Sequence, residues 1–379
     1  MDMMLFGPDL FYLGMALVFF CFTLRRQVKV QLDYQVALAL SAIGVLVTGY
    51  CLFQQGDLFF KAYRVDLFSQ IFKFALALGL FLVLAISHNL AHIEERYQAE
   101  FYFFLTTTTI GMMMLVSSVE LLTIYVALEL SSYSLYILVP LRRGDGIDVE
   151  AGIKYLFIGA VSSGFMLFGL SYIFGATGST YLVDILPKMT QLVNSPIGIL
   201  GILLAMAGFF FKLSVFPFHF WAPDVYQGGA NQVVTFIATA SKAAAVALLL
   251  RLAVLAHGSG YNFTIALVIL SAVSMTLGNL VAIVQKDFKR MLAYSSIAHA
   301  GVFLMGVLTI TEAGYIGAIY YALAYLVMNF TVFMVLSEVA TDGRDLQITE
   351  LAGLYRRSPV LMMSLILGIF ALAGVPPSI

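Results

Sequence analysis

The chain has 379 residues, of which 61% are hydrophobic and 11% charged, with a formal net charge of −1. Soluble domains carry about 25% charged residues, so this composition is that of a polytopic membrane protein. The balanced charge leaves no basic footprint for nucleic acid and none for an anionic surface.

Apolar runs of about 20 residues cross a ~30 Å hydrocarbon core as helices. Eleven are predicted, at roughly 9–24, 35–53, 66–87, 101–119, 120–139, 151–175, 196–215, 231–256, 262–284, 290–310 and 314–339, and a twelfth opens near Pro359. Lipid offers the backbone no hydrogen-bond partners, so helices are the expected form, and alternating strands at barrel spacing are absent from the sequence. Asp2 rather than a basic segment opens the chain and no small-residue cleavage site follows Phe20, so the first run is read as a retained span and not a signal peptide. Arg25, Arg26 and Lys29 follow the first run, Arg142 and Arg143 the fifth, Lys286, Lys289 and Arg290 the ninth, and Arg344, Arg356 and Arg357 the eleventh. Loops after even-numbered runs are poorer in Lys and Arg, which predicts odd-to-even loops in the cytoplasm and the N-terminus outside. The twelfth run, SPVLMMSLILGIFALAGVPPSI, stops just after Pro376 and Pro377. A natural protein rarely ends inside the membrane at a Pro-Pro break, and the expectation is a partial sequence, cut within the twelfth helix.

Three charges lie deep in these runs. Glu129 is near the middle of LLTIYVALELSSYSLYILV, Lys212 closes ILLAMAGFFFK, and Lys242 is central in QVVTFIATASKAAAVALLLRL. A charge at the bilayer centre costs roughly 2.5–3.5 kcal/mol on insertion scales, so such residues usually face a protein or water-lined interior and mark ion paths. Ser131, Ser132 and Ser134 are placed to satisfy Glu129 locally, and Thr239 and Ser241 to line a wet path beside Lys242. After Lys212 comes LSVFPFHFWAPDVYQGGANQ, where Pro217 and Pro223 predict an interrupted helix. An interrupted helix beside a buried charge is a transporter signature, because the freed backbone groups are tolerable only where protein or water lines the site.

Other polar residues read less sharply. His299, near mid-span in RMLAYSSIAHAGVFLMG, fits either a packed core residue or a proton shuttle with an unperturbed pKa near 6.5. Lys154 follows Glu150 at the i,i+4 spacing of a helical ion pair and fits an interfacial anchor as well as a relay. Lys73, Arg251 and Glu338 lie nearer run ends, where long side chains snorkel or pair at the interface. Gly159, Gly164 and Gly169 favour close helix packing. Cys21 and Cys51 sit in apolar runs without CxxC or Cys/His spacing, which argues against a disulfide or a metal site. No Walker loop, dinucleotide fingerprint, haem motif or nucleophile motif occurs, so the chain is not built for ATP hydrolysis or hydride transfer.

In order, YVALELSSYSLYIL, EAGIKYLFIGAVSSGFMLFG, FKLSVFPFHFWAPDVYQGGANQVVTFIATASKAAAVALLLR and LGNLVAIVQKDFKRMLAYSSIAHAG resemble the subunit N family of bacterial proton-pumping NADH:quinone oxidoreductase, respiratory complex I. Subunits of cation/proton antiporters and membrane hydrogenases are related. The resemblance implies an all-α, antiporter-like bundle of about fourteen helices with two inverted five-helix repeats: a three-helix region at 1–100, a first repeat at 101–257 and an incomplete second at 258–379. It places Lys212 beside the interrupted helix of the first repeat, Glu129 as its modulating carboxylate, Lys242 as the central relay, and His299, more loosely, in the second repeat. The second repeat's own lysine would come a few residues after GVPPSI.

The resemblance further implies a bacterial inner-membrane translocase whose redox chemistry lies elsewhere. NADH, flavin, iron–sulfur clusters and quinone would be held by partner subunits, none by this chain, and its neighbours would be other antiporter-like and small membrane subunits in the lipid bilayer. Two other classes remain: a sodium/proton antiporter subunit, against which the lack of an unpaired mid-membrane carboxylate weighs, and a non-pumping structural subunit whose charges are internal ion pairs.

Overall fold

The computed structural model describes residues 3–90, 92–143, 147–188, 192, 193, 195–253, 261–309, 311–340 and 344–376. The expected boundary at 257, Asp2 and Pro377 lie outside them. Helices α1 (Gly7–Thr23), α2 (Val30–Tyr50), α3 (Leu67–Ala85), α4 (Gln98–Ser117), α5 (Leu121–Leu138) and α6 (Ile147–Thr177) match the first six runs. The seventh run is a bent pair, α7 (Pro196–Ala205) and α8 (Ala207–Leu213), with 43° between them. A short helix, α9 (Trp221–Gly228), follows. The eighth run is α10 (Asn231–Phe236), a π turn (Ile237–Ser241) and α11 (Lys242–Ala253). Then come α12 (Tyr261–Ile283), α13 (Phe288–Leu308), α14 (Glu312–Val339) and α15 (Pro359–Leu372). Ten described helices are long and apolar enough to cross a membrane, eleven if the bent pair is one span.

The helix starts follow local chemistry. Asp66 caps α3 by accepting from Ser69 N at 2.8 Å while Ser69 Oγ accepts from Asp66 N at 3.0 Å, a reciprocal box that satisfies two end groups. Ser195 caps α7, whose first residue is Pro196, where a missing N–H costs nothing. Asp287 caps α13 and Thr311 caps α14 in the same way.

Burial sorts the helices. Every residue from Asn231 to Leu250 is buried, so the eighth span runs through the middle of the bundle. Peripheral α2, α6 and α12 expose long apolar side chains, among them Leu46, Phe157, Phe168, Leu280 and Ile283, which suit lipid or a neighbouring subunit. Two of the three expected glycines mark close approaches. Gly169 lies against the α7 backbone, with an added Cβ 2.7 Å from Ala205 Cα, and Gly159 against Phe211 and Tyr136. Gly164 faces open space instead. A third approach, at Gly111, would put a Cβ 2.7 Å from Ser131 N and binds α4 tightly to α5.

The three-helix region holds two features that hydropathy did not show. A hairpin pairs β1 (Gly56–Leu58) with β2 (Tyr63–Val65) through a turn in which Phe59, Phe60 and Lys61 all have positive φ. Left-handed backbone costs non-glycine residues roughly 1–2 kcal/mol each, so surrounding structure must hold this turn. Tyr63 does so by donating to Asp9 Oδ1 at 2.8 Å, while Lys73 Nζ pairs with Asp9 Oδ2 at 2.6 Å. Lys73 and Asp9 are both buried, which corrects the expectation that Lys73 sits at the interface. Removing one partner of such a pair costs about 3–5 kcal/mol, because it leaves an uncompensated charge.

Arg251 behaves as expected of a pairing residue. Its two terminal nitrogens donate to the Asp66 carboxylate at 2.8 and 3.0 Å, and its Nε donates to Val116 O at 2.7 Å. Burial pushes the Asp66 carboxyl up, but the Arg251 guanidinium and Ser69 outweigh it and hold the pKa below the ordinary range. The folded value is therefore the lower one, so this stabilisation is complete above pH ~4 and is lost as pH falls through the folded value. Asp66→Asn is expected to remove that acid limb from the thermal-unfolding profile of the purified protein between about pH 5 and pH 2. An unchanged limb would show that other carboxylates set it.

Candidate functional site

The seventh span stops in mid-bundle. Helix α8 ends at Leu213, Ser214 turns left-handed with φ 64°, and α9 begins only at Trp221. Pro217 lies inside the break, as its missing N–H predicts. Pro223 does not break anything: it occupies the first turn of α9, where the lost donor is an orphan anyway. Trp221 closes the gap by donating its Nε1–H to Phe211 O at 2.9 Å and stacking on Tyr155, with ring centroids 4.6 Å apart. Phe216 N reaches Ser274 Oγ of α12 at 3.0 Å, so the irregular backbone finds a partner within the bundle.

Two lysines flank this break. Lys212 is the penultimate residue of α8, is 2% exposed, and donates to Ser132 Oγ of α5 at 3.0 Å. Lys242, 1% exposed, opens α11 directly after the π turn, an irregularity frequent at functional sites. Its Nζ donates to Leu213 O at 3.0 Å and lies 3.4 Å from Ser214 Oγ. The last carbonyls of a helix lack intrahelical donors and carry the negative end of its dipole, so an ammonium group suits that place. The same Nζ reaches Ser296 Oγ at 2.9 Å and Ser296 O at 3.3 Å, both on α13. One amine thus joins the end of Lys212's helix to a third helix.

The other expected residues surround these two. Glu129 is buried on α5, one turn before Ser132, and accepts from Ser163 Oγ of α6. Ser131, Ser132 and Ser134 instead donate back to their own helix, at Leu128 O and Leu130 O, so the local serines do not satisfy Glu129. No ion pair forms between Glu129 and Lys212 among the described residues. Their link runs through one turn of α5. His299 lies one turn beyond Ser296 on α13, with Nδ1 2.6 Å from Tyr321 Oη of α14. Thr239 donates to Thr235 O within its own helix, and Ser241 is buried beside Lys242.

Lys154 stands apart. It pairs with Glu150 at 2.6 Å, as the i,i+4 spacing predicts, and with Asp224 of α9 at 2.7 Å. Arg290 of α13 binds the other Asp224 oxygen at 2.7 Å and Gln227 Oε1 at 3.0 Å. A cavity of about 520 Å³ opens here, lined by Lys154, Asp224, Arg290 and His219. His219, in the break and 4% exposed, was not singled out from the sequence, because a lone histidine among phenylalanines carries no spacing signal.

A span broken beside one buried lysine, with a second lysine on the broken end's carbonyls, is the arrangement of a membrane protein that moves cations or protons. The family model for the transmembrane region of NADH:quinone oxidoreductase and Mrp antiporter subunits matches residues 118–379. The chain is 49% identical to NADH-quinone oxidoreductase subunit N 2 of Syntrophobacter fumaroxidans, over 100% of this chain and 80% of that one. It is 43% identical to the subunit N 2 of Opitutus terrae over 98% and 78%. Its fold is similar to that of a chain of respiratory complex I from Thermus thermophilus, with a TM-score of 0.82, 32% identity, and 99% and 79% coverage. A chain of the Mrp complex from Dietzia sp. shares the fold alone, with a TM-score of 0.85 at 19% identity, covering 100% of this chain and 72% of that one. The chain belongs to the antiporter-like membrane subunits of this family, among the subunits N of NADH-quinone oxidoreductase.

Proposed function

We propose that this chain translocates protons as a bacterial inner-membrane subunit of an NADH:quinone oxidoreductase, with its N-terminus outside. The redox groups reside in partner subunits, and neighbouring antiporter-like and small membrane subunits cover its exposed apolar faces. The observation that carries this reading is the amine of Lys242, bonded at once to the end of Lys212's helix and to the helix bearing His299.

In the cycle, an ionised Glu129 near Lys212 holds that lysine protonated. When the two separate, Lys212 passes its proton across the break to Lys242, and Ser296, His299 and Tyr321 continue the route. Two unit charges 4 Å apart interact by ~4 kcal/mol at an effective dielectric of 20, and by about half that at twice the distance. Moving one charge through 100 mV takes ~2.3 kcal/mol. Opening the pair by a few ångströms therefore changes its energy by as much as the transported charge must climb. Glu129 bonds to Ser163 and Lys212 to Ser132, one turn further along α5, which supports a pair able to close and open.

The test is Glu129→Gln in the intact complex. The proton-to-electron ratio should fall while NADH oxidation continues, and an unchanged ratio in fully assembled enzyme would remove Glu129 from the cycle.

A further inference from the structure

Beyond the relay, the C-terminal end of α9 is held by charges that the cycle does not use. Arg142, in the turn after α5, donates to Gln227 O at 2.6 Å and to Asp345 Oδ1 at 3.0 Å. Lys289, fully buried on the first turn of α13, donates to Gly229 O at 3.1 Å and pairs with the same Asp345 oxygen at 2.8 Å. Two cations thus bind the carbonyl end of α9 and the turn into α10, and one carboxylate holds both cations. Burial pushes Asp345 up, yet Lys289 and Arg142 more than offset it, and its carboxyl lies below the ordinary range. The segment carrying Asp345 is fastened by its backbone as well: Phe288 N donates to Leu346 O at 2.9 Å and Ile348 N to Lys286 O at 3.0 Å.

We infer that Asp345 is a positioning residue which, through Arg142 and Lys289, sets the placement of α9 and so the geometry of the break beside Lys212 and Lys242. The reasoning is mechanical. Helix α9 has only eight residues, with Trp221 bonded across the break at one end and the Arg142–Lys289 pair on its carbonyls at the other. A displacement at one end of so short a rod reaches the other undiminished. Arg290 and Lys154 grip the side of α9 through Asp224, and Arg290 also reaches the Gln227 side chain, while the backbone carbonyls of Gln227 and Gly229 are bound by Arg142 and Lys289. Because Asp345 follows α14, the cluster also ties the later part of the chain to the broken span of the earlier part.

Without its carboxylate, the two buried cations would lose the anion they share, and their hold on the carbonyl end of α9 would loosen. Misplacing reacting groups by ~1 Å can cost as much as ~100-fold in a transfer step.

This inference rests on the relay proposed above, and the experiment separates the two. Asp345→Asn, Asp345→Glu and Lys242→Ala are each made in the intact complex, with assembly, NADH oxidation and proton-to-electron ratio measured together. Asp345→Asn should assemble and oxidise NADH with a lowered ratio, and Asp345→Glu should restore it. A normal ratio in Asp345→Asn, whether assembly is full or reduced, overturns the positioning role. If Lys242→Ala also pumps normally, the relay itself fails. If only Lys242→Ala loses pumping, the relay stands and the positioning role alone falls.

Discussion

Lys242→Ala is expected to abolish proton translocation through this chain, lowering the complex's proton-to-electron ratio more than any other single change in the relay. The amine is the sole described donor that touches both the end of α8 and Ser296 of α13. Truncation removes the proton carrier and also leaves Leu213 O, at a helix end, short of a donor in a buried site, at about 1–3 kcal/mol. Arginine should not rescue. Its planar fork differs from a compact ammonium with three rotatable donors, and the space is fully enclosed. Full pumping with only weaker assembly in Lys242→Ala would instead make the buried lysines structural pins.

Gly169→Leu should prevent assembly altogether. An added Cβ alone would lie 2.7 Å from Ala205 Cα and closer still to Ala205 N and Gly201 O, all backbone or backbone-bound atoms that cannot swing aside. Overpacking in a well-filled core costs about 1–3 kcal/mol, and more where the obstacle is backbone. Helix α7 would be pushed from α6, and with it α8 and Lys212. Gly164→Leu, five positions earlier on the same helix and facing open space, is the matched control and should assemble. Equal yields of the two variants, measured by native electrophoresis of solubilised membranes, would contradict the close approach at Gly169.

The spans were legible because lipid imposes a length and an apolar composition on any helix that crosses it, and all eleven runs before Pro359 correspond to described helices. The break after Lys212 was legible from Pro217, though Pro223 was read with the wrong sign because a proline's effect depends on its distance from a helix start. Glu129, Lys212 and Lys242 stood out by their cost in lipid. Their partners did not: Ser163 is 34 positions from Glu129 and Ser296 is 54 from Lys242, and a serine in an apolar run is too common to point anywhere. Lys73 was misplaced for the same reason, its counter-charge Asp9 being 64 positions away. Asp345 lay in a polar loop where a carboxylate attracts no notice, and only its two buried cations give it weight.

The chain contains one tryptophan, and it is Trp221, buried astride the break with its indole on Tyr155 and its N–H on Phe211 O. Any indole emission from the isolated polypeptide therefore originates at that single place. Its wavelength would shift to the red if water entered the gap, and its intensity would follow the stacking of the two rings. The fold carries a built-in optical probe at the point where the seventh span is broken, with no label to be introduced.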